Sequence, residues 1–193
     1  TLNEKGNINI LYKKIKKSLD EVNLSWEIIF VDDSKNYETA NVINDLKKNN
    51  TNIQLIKRFE NRGLSSALIQ GALSSNSYYI VFIDADLQHP PEKIKDLYSV
   101  IIGKKLDIVS ASRFLENKKL LHKKRYKASF FVNYLLKKIF NINYSDVLTG
   151  FFIIEDSFFK SNYKNLSNIG FKLLLDIILS KKNTVKYSEI PFK

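Results

Sequence analysis

The sequence predicts an α/β fold: a doubly wound, mostly parallel sheet with helices on both faces. Three observations support this fold class. Short apolar runs alternate with helical patterns as far as residue 111, and two of these runs end directly in carboxylates. The chain has 193 residues, 44% of them hydrophobic, which is enough for one well-buried core. We therefore expect a single domain, 1–193.

The predicted helices are amphipathic or carry clear start signals. Apolar residues recur at three- and four-residue steps from residue 8 to residue 22, and helical patterns follow over 42–46 and after Gly63. A further helix is expected to begin at Pro90-Pro91-Glu92, because proline lacks only an N–H that the first helical turn leaves unpaired. We expect Gly103 to cap this helix.

The predicted strands are short and almost continuously apolar, as buried parallel strands are. They are expected over 27–31, 53–56, 78–83 and 106–111. After Arg113 the alternation breaks, and a helix over 170–182 followed by a strand over 184–190 restores it. The first residues open directly into a helical pattern, so we expect a fragment that lacks its first strand.

The segment 117–140 differs in composition from the rest of the chain. Residues 117–138 contain no acid and eight basic residues. Apolar residues lie among them: Phe130, Phe131, Val132, Leu135 and Leu136. Basic and apolar side chains together favour a membrane interface, so we predict that 117–140 is a basic amphipathic membrane-interface segment. An ordinary helix that packs its apolar residues against the sheet is the alternative.

Charge and cysteine content narrow the function classes. The chain has no cysteine, which excludes disulfides and thiolate metal sites, and its net charge is +11. Such a charge suits nucleic acid, an anionic membrane surface or phosphorylated substrates, although a lysine-rich composition could also produce it. No apolar run reaches the roughly 18 residues that indicate a membrane span.

The most informative residues follow the strand predicted over 78–83. If the chain stays extended there, Asp84, Asp86 and Gln88 face the same way and offer three oxygen ligands to one point. Oxygen ligands suit a hard ion, Mg²⁺ or Mn²⁺, that takes its other ligands from water and phosphates. Ligands of open α/β sheets bind beyond the carboxyl ends of strands. We therefore predict a metal site at these residues.

A second acidic pair, Asp32-Asp33, ends the strand predicted over 27–31. These carboxylates could accept hydrogen bonds from a nucleoside base or ribose, or they could be solvated turn residues. His89 is expected to lie behind the ligands or at the surface. The chain contains neither a phosphate-binding P-loop motif nor a dinucleotide-binding glycine fingerprint.

These motifs resemble the family two glycosyltransferases of the GT-A fold, and within them the polyprenol-phosphate (dolichol-phosphate) mannosyltransferase group. The resemblance runs along essentially the whole chain, and residues 84–92 (DADLQHPPE) match most specifically. The other segments that carry it are Thr1-Leu2-Asn3-Glu4, Val31-Asp32-Asp33-Ser34, Asn61-Arg62-Gly63-Leu64 with Gly71, Ser112-Arg113-Phe114, Arg125 to Ser129, residues 146–151 (DVLTGF) and Glu189-Ile190-Pro191-Phe192.

The resemblance implies a metal-dependent, inverting transfer from a nucleotide sugar, GDP-mannose above all, to polyprenyl or dolichyl phosphate at the cytoplasmic face of a membrane. It implies that Asp86, Arg113 and Arg125 are catalytic, and that the two arginines hold the acceptor phosphate. The substrate-binding residues it implies are Asn3, Glu4, Asp32, Asp33, Asp84, Ala85, Asp86, Gln88, Arg113 and Arg125.

One residue departs from the family pattern, and two alternative functions stay open. Phe152 stands where the family has an arginine, so that cation has no counterpart here. A transferase that uses another nucleotide sugar or a polysaccharide hydroxyl acceptor is the first alternative, although a hydroxyl nucleophile would need a base. A nucleic-acid-binding domain is the second. We expect no nucleic-acid partner, because an acidic rim is a poor neighbour for nucleic acid.

Overall fold

The structure is a computed structural model that describes residues 1–22, 24–115, 124–167, 172–181 and 184–192, with the side chains of 124–128 left out. Its strands are β1 (Ile28–Asp32), β2 (Ile53–Lys57), β3 (Tyr79–Phe82), β4 (Ile108–Ser112), β5 (Phe152–Glu155) and β6 (Tyr187–Pro191). Its α-helices are α1 (Ile8–Asp20), α2 (Glu38–Lys48), α3 (Leu64–Leu73), α4 (Ile94–Lys104), α5 (Lys124–Phe140), α6 (Asp156–Asn162) and α7 (Leu173–Ser180).

The described strands form two sheets. Strands β1 and β2 pair in parallel, and the second sheet has the order β3-β5-β4-β6. Strand β4 is parallel to β6, whereas β5 is antiparallel to both β3 and β4. The α/β class is confirmed. The expectation of a mostly parallel sheet holds for the strands that the sequence predicted, and both antiparallel pairings come from β5, which it did not predict.

Helices cover both faces of the larger sheet, as predicted. The side chains of β5 alternate between two cores because successive strand residues point to opposite faces. Ile153 packs in a core with α1, α2 and α4, whereas Phe152 and Ile154 pack in a second core with α3, α6 and α7. Each core keeps one face of the sheet out of water.

A cavity of about 1210 Å³ separates the two sheets. Consecutive residues of β1 and β3 line it, including Ile28–Val31 and Tyr79–Phe82, so the cavity borders the edges of these strands. At one end, the Thr1 N–H donates to the Val31 carbonyl oxygen at 2.7 Å and the Asp33 N–H donates to the Thr1 carbonyl oxygen at 3.0 Å. The described chain therefore leaves a gap between β1 and β3, and the expectation that the first strand is missing stays a prediction.

The end of α4 differs from the prediction. Gly103 lies inside the helix, and Lys105 (φ 50°) is the left-handed residue that ends it. The predicted helix start is confirmed in part, because a short 3₁₀ helix (Pro91–Lys93) precedes α4. Within the described ranges, no helix combines the length and hydrophobicity needed to cross a bilayer.

Candidate functional site

The polar end of the cavity gathers most of the residues that the sequence singled out. It follows the carboxyl ends of β1 and β3, where open α/β sheets bind ligands. Six of the predicted substrate-binding residues line this cavity: Asn3, Glu4, Asp33, Asp84, Ala85 and Asp86. Asp32, Gln88 and Arg113 are not among its lining residues.

Asp32 is a structural residue of the rim. Its carboxylate is fully buried and accepts hydrogen bonds from the Thr1 hydroxyl (3.0 Å), the Ser34 hydroxyl (2.6 Å) and the Lys57 ammonium (2.9 Å). Burial alone would raise the pKa of Asp32, but the hydrogen bonds from Ser34 and Lys57 hold it below its ordinary value. Because these groups enclose the carboxylate, Asp32 supports the shape of the rim, and its direct contact with substrate stays a prediction.

Asp33 lies on the cavity wall and is held by Arg58. The Arg58 Nε donates to Asp33 Oδ1 at 2.6 Å and Nη2 donates to Oδ2 at 2.5 Å, while the Gly63 N–H donates to Oδ2 at 3.0 Å. Partial burial would raise the pKa of Asp33, yet the bonds from Arg58 and Gly63 keep it below its ordinary value. This bidentate ion pair fixes the orientation of Asp33. Sequence reasoning did not single out Arg58.

The chain turns after β3 instead of remaining extended. Residues 85–86 form a turn, Leu87 has a left-handed backbone (φ 62°), and the Gln88 N–H donates to Asp86 Oδ1 at 3.0 Å. The assumption that residues 84, 86 and 88 alternate on one extended face is therefore wrong. Asp84 and Asp86 both line the cavity, whereas the assignment of Gln88 as a third ligand loses its geometric basis.

His89 and Gly150 support Asp84 from behind. The Asp84 N–H donates to His89 Nδ1 at 3.2 Å, and the His89 ring stacks on Phe151 with centroids 5.3 Å apart. Burial lowers the pKa of His89, which fits an imidazole that accepts this bond in its neutral form. A Cβ added at Gly150 would lie 3.1 Å from Asp84 Oδ2. Because Gly150 has no side chain, the Asp84 carboxylate can occupy this position without a steric clash.

The acidic turn suits a hard divalent cation that binds together with a diphosphate. In the part of the chain that the structure describes, no group of three or more His, Cys, Asp or Glu side chains is placed to hold a metal alone. Mg²⁺, however, usually takes one or two carboxylates and completes its shell with water and substrate phosphates. Asp84 and Asp86 provide two such carboxylates, and neither is ion-paired with a described lysine or arginine.

Arg113 follows β4 and pairs with Asp146. Its Nε donates to Asp146 Oδ2 at 2.7 Å and its Nη2 donates to Oδ1 at 3.0 Å. Asp146 is fully buried, whereas the Arg113 side chain keeps 30% of its surface exposed. The guanidinium is therefore anchored by a buried carboxylate and remains partly exposed to solvent. Nothing is described of the Arg125 side chain, so its predicted role stays a prediction.

Lys172 is a cation near this arginine that the sequence did not reveal. Its ammonium donates to the Leu148 carbonyl oxygen at 3.0 Å, two residues before Gly150. Partial desolvation of the ammonium and the charge of Arg113 lower the pKa of Lys172, while Asp84 and Asp146 oppose the shift. Lys172 thus shares an electrostatic neighbourhood with both the acidic turn and Arg113. A single lysine before an apolar helix carries no sequence signal.

Phe152 occupies the position of the missing family arginine and belongs to the core. It is fully buried, and its ring lies 4.6 Å from that of Phe82. A side chain at this position points into the second core instead of the cavity. The replacement is therefore accommodated as ordinary core packing.

Comparison with known proteins agrees with this arrangement. The sequence profile of glycosyl transferase family 2 matches residues 1–162. The chain belongs to this family. It is 33% identical over its whole length to a dolichol-phosphate mannosyltransferase of Pyrococcus furiosus, of which it spans 54%. It is 28% identical to the Saccharomyces cerevisiae dolichol-phosphate mannosyltransferase, over 98% of this chain and 73% of the yeast protein. The chain thus spans only about half of the archaeal relative.

Solved structures support the fold of this family 2 chain. Glucosyl-3-phosphoglycerate synthase from Mycobacterium tuberculosis, crystallised with Mn²⁺, UDP and phosphoglyceric acid, superposes with a TM-score of 0.70 at 16% identity, over 99% of this chain and 66% of the synthase. Mannosyl-3-phosphoglycerate synthase from Rubrobacter xylanophilus superposes with a TM-score of 0.68 at 16% identity, over 100% of this chain and 63% of that one. At this identity the likeness establishes the shared fold.

Proposed function

We propose that this chain carries the catalytic site of a glycosyltransferase that transfers mannose from GDP-mannose to a polyprenyl or dolichyl phosphate, with inversion. One observation carries the proposal: an acidic turn without a lysine or arginine partner among the described residues packs against Gly150, and the same segment, 146–151, contains Asp146, which binds the partly exposed cation Arg113. The acidic turn suits a metal-bound nucleotide diphosphate, and Arg113 suits an anionic acceptor. The names of the archaeal and yeast relatives support the choice of sugar and lipid.

The donor is proposed to bind along the rim from Asp33 to Asp86. Asp33, oriented by Arg58, offers an acceptor to the nucleoside, and Asn3 and Glu4 line the same cavity. Asp84 and Asp86 would hold Mg²⁺ or Mn²⁺. When bound, such an ion offsets the charge that develops on the leaving diphosphate. His89 and Gly150 keep Asp84 in place for this task.

The acceptor phosphate is proposed to bind at Arg113 with the help of Lys172. A phosphate monoester is mostly ionised near neutral pH, because its second pKa is about 6. One of its oxygens can therefore attack the anomeric carbon as the bond to the nucleoside diphosphate breaks, without a protein base. The partly exposed guanidinium of Arg113 has the planar geometry that suits phosphate oxygens. Arg125 is a further predicted contact.

Helix α5 is proposed to face the membrane that contains this acceptor. Phe130, Phe131 and Leu135 are 44%, 59% and 40% exposed, and Ile139 is 69% exposed. Leu136 differs, because it packs against the second core. Exposed apolar side chains beside lysines suit the boundary between headgroups and acyl chains. This arrangement favours docking at a membrane surface, proposed to be the cytoplasmic face, over full packing of the helix against the sheet.

Liposome co-sedimentation tests the membrane part of the proposal. Binding should rise with anionic lipid content, fall with salt and drop in a Phe131→Ser variant, because basic residues attract the leaflet and the ring enters it. Ile102→Ser is the matched control, since Ile102 is 41% exposed on α4. Binding that ignores lipid charge and falls equally in both variants would contradict membrane docking by α5.

A product assay tests the reaction itself. The protein, incubated with polyprenyl phosphate, Mn²⁺ and a panel of nucleotide sugars, should form a mannosyl phospholipid from GDP-mannose, with the anomeric configuration inverted by NMR. Arg113→Ala should reduce acceptor turnover about 10- to 100-fold, since charge-assisted hydrogen bonds contribute roughly 1.5–3 kcal/mol. Nucleotide affinity should stay near that of the wild type. A glycosylated polysaccharide without glycolipid would favour the hydroxyl-acceptor alternative.

A further inference from the structure

Helix α5 has an inward side as well as an exposed apolar face. Asn133 lies between Phe131 and Leu135 in sequence, yet only 1% of its surface is exposed. A buried amide is unfavourable unless its hydrogen bonds are satisfied. An asparagine in the middle of a helix also has lower helix propensity than leucine. The hydrogen-bond partners of Asn133 therefore indicate why a buried amide is placed at this position.

The Asn133 amide joins α5 to the loop that follows it. Its Nδ2 donates to the Ser129 carbonyl oxygen at 3.1 Å and to Asp146 Oδ1 at 3.4 Å, and its Oδ1 accepts the Val147 N–H at 3.1 Å. One side chain thus binds both the carboxylate of Asp146 and the backbone beside it. Both polar atoms of the Asn133 amide, Nδ2 and Oδ1, are therefore hydrogen-bonded.

Asp146 transmits this connection to Arg113. The same Oδ1 that accepts from Asn133 also accepts from Arg113 Nη2, and Oδ2 accepts from Arg113 Nε. From the opposite side, Glu189 of β6 accepts the N–H groups of Ser145 and Asp146. Asp146 is therefore held from α5 and from β6, and its carboxylate sets the direction of the guanidinium.

We propose that Asn133 is a positioning residue that couples the membrane-facing helix α5 to the acceptor cation Arg113. The functional consequence rests on the proposed function, in which Arg113 binds the lipid phosphate. Docking of α5 at the bilayer then fixes the height and direction of Arg113 through two side chains, Asn133 and Asp146. The residue acts through Arg113 and does not itself touch the substrate.

A near-isosteric variant tests this coupling. Asn133→Leu removes the contacts with Asp146 and Val147 while it preserves side-chain size and helix propensity. Asn133→Ser, which is smaller, is the second variant in case the first does not fold. Asn162→Leu is the matched control. Asn162 is also buried (5% exposed) in a helix, but its amide donates to the Phe158 carbonyl oxygen (2.6 Å) and to the Ser161 hydroxyl (3.0 Å).

Two measurements separate this inference from the proposed function. The first is the NMR signal of the Arg113 Nε–H, assigned with an Arg113→Lys variant. It should shift in Asn133→Leu or Asn133→Ser and stay in place in Asn162→Leu. The second is steady-state kinetics, in which the acceptor KM should rise on the order of 10-fold, because a misplaced binding group weakens productive contact. The KM for the nucleotide sugar should change less than about 2-fold.

The outcomes are distinct. An unmoved Arg113 signal in both Asn133 variants overturns the coupling, whatever the enzyme does. A shifted signal with an unchanged acceptor KM removes its functional role. If the wild-type protein makes no glycolipid while the signal still shifts, the proposed acceptor is wrong and the link between α5 and Arg113 stands. Equal losses of activity in the Asn133 and Asn162 variants would reduce Asn133 to a stabilising residue.

Discussion

The two acidic turns of this chain have similar sequences and different surroundings. Asp32-Asp33 follows β1, and its carboxylates are matched one to one by Lys57 and Arg58 from the end of β2. Asp84 and Asp86 follow β3, and among the described residues they have no ion pair with lysine or arginine. Oδ2 of Asp84 lies 3.7 Å from Nδ1 of His89, whose pKa is lowered by burial. The first turn is charge-balanced from within, and the second leaves negative charge to be balanced by a ligand.

This difference teaches that an acidic pair at a strand end is not by itself a metal site. A buried carboxylate that has its own cation supports the shape of the rim, because removal of the cation leaves an uncompensated charge. A partly exposed carboxylate without a cation can bind one that arrives with the substrate. The distinction predicts which substitutions affect folding and which affect chemistry.

The largest expected effect is on the stability of the first turn. Arg58→Met should reduce the free energy of unfolding by roughly 3–5 kcal/mol, because it leaves the buried Asp33 without its partner. Chemical denaturation measures this. Lys48→Met, which removes the exposed pair with Asp45, should leave stability unchanged within error. Similar denaturation midpoints for the two variants would show that the ion pair of Arg58 with Asp33 does not stabilise the fold.

The next effect is on catalysis at the second turn. Asp86→Asn should lower sugar transfer by about 100-fold or more, since a metal carboxylate contributes several kcal/mol of charge stabilisation. The melting temperature should stay near that of wild type, because Asp86 is exposed. Chelation of divalent ions should have the same effect, and Asp45→Asn should have none. Full turnover after chelation would contradict the metal assignment to Asp84 and Asp86.

The smallest effect concerns the support of Asp84. Gly150→Ala places a methyl group 3.1 Å from Asp84 Oδ2, so the carboxylate must shift by a few tenths of an ångström. We expect transfer to fall about 3- to 10-fold, because small displacements at a reacting centre weaken catalysis. Gly103→Ala is the control: nothing lies within 4 Å of an added Cβ there. Because Gly103 is inside α4, that variant should be slightly more stable.

Much of this comparison could be predicted from the sequence, and part of it could not. The alternation of apolar runs located β1 to β4, and the carboxylates after β1 and β3 marked the rim. The cations of the first turn also had a signal, because Lys57-Arg58 ends β2 as Asp32-Asp33 ends β1. The parallel register places Asp32 opposite Lys57. This signal can be used only when β1 and β2 are known to pair, and the hydrophobic pattern of one strand does not show which strand it pairs with.

Other features had no local signal. The turn at Leu87 requires a left-handed backbone at a leucine, which propensity alone would not indicate. Strand β5 is only four residues long, follows the motif at 146–151 directly, and was not predicted as a strand. Lys172 approaches Arg113 and Asp84 through tertiary packing. Interactions between distant segments decide the pairing of β5 and the position of Lys172.

The open position between β1 and β3 has a consequence for handling this chain. Edge strands with unpaired N–H and C=O groups recruit other extended chains, and natural proteins usually cover, shorten or charge such edges. Here two edges face each other across an apolar cavity, and among the described residues only Thr1 pairs with β1 on this side. Among the described residues, these two edges therefore form a surface on which an extended segment of another molecule can pair with β1 or β3. A soluble peptide of alternating β-branched residues should compete with it by occupying the same space.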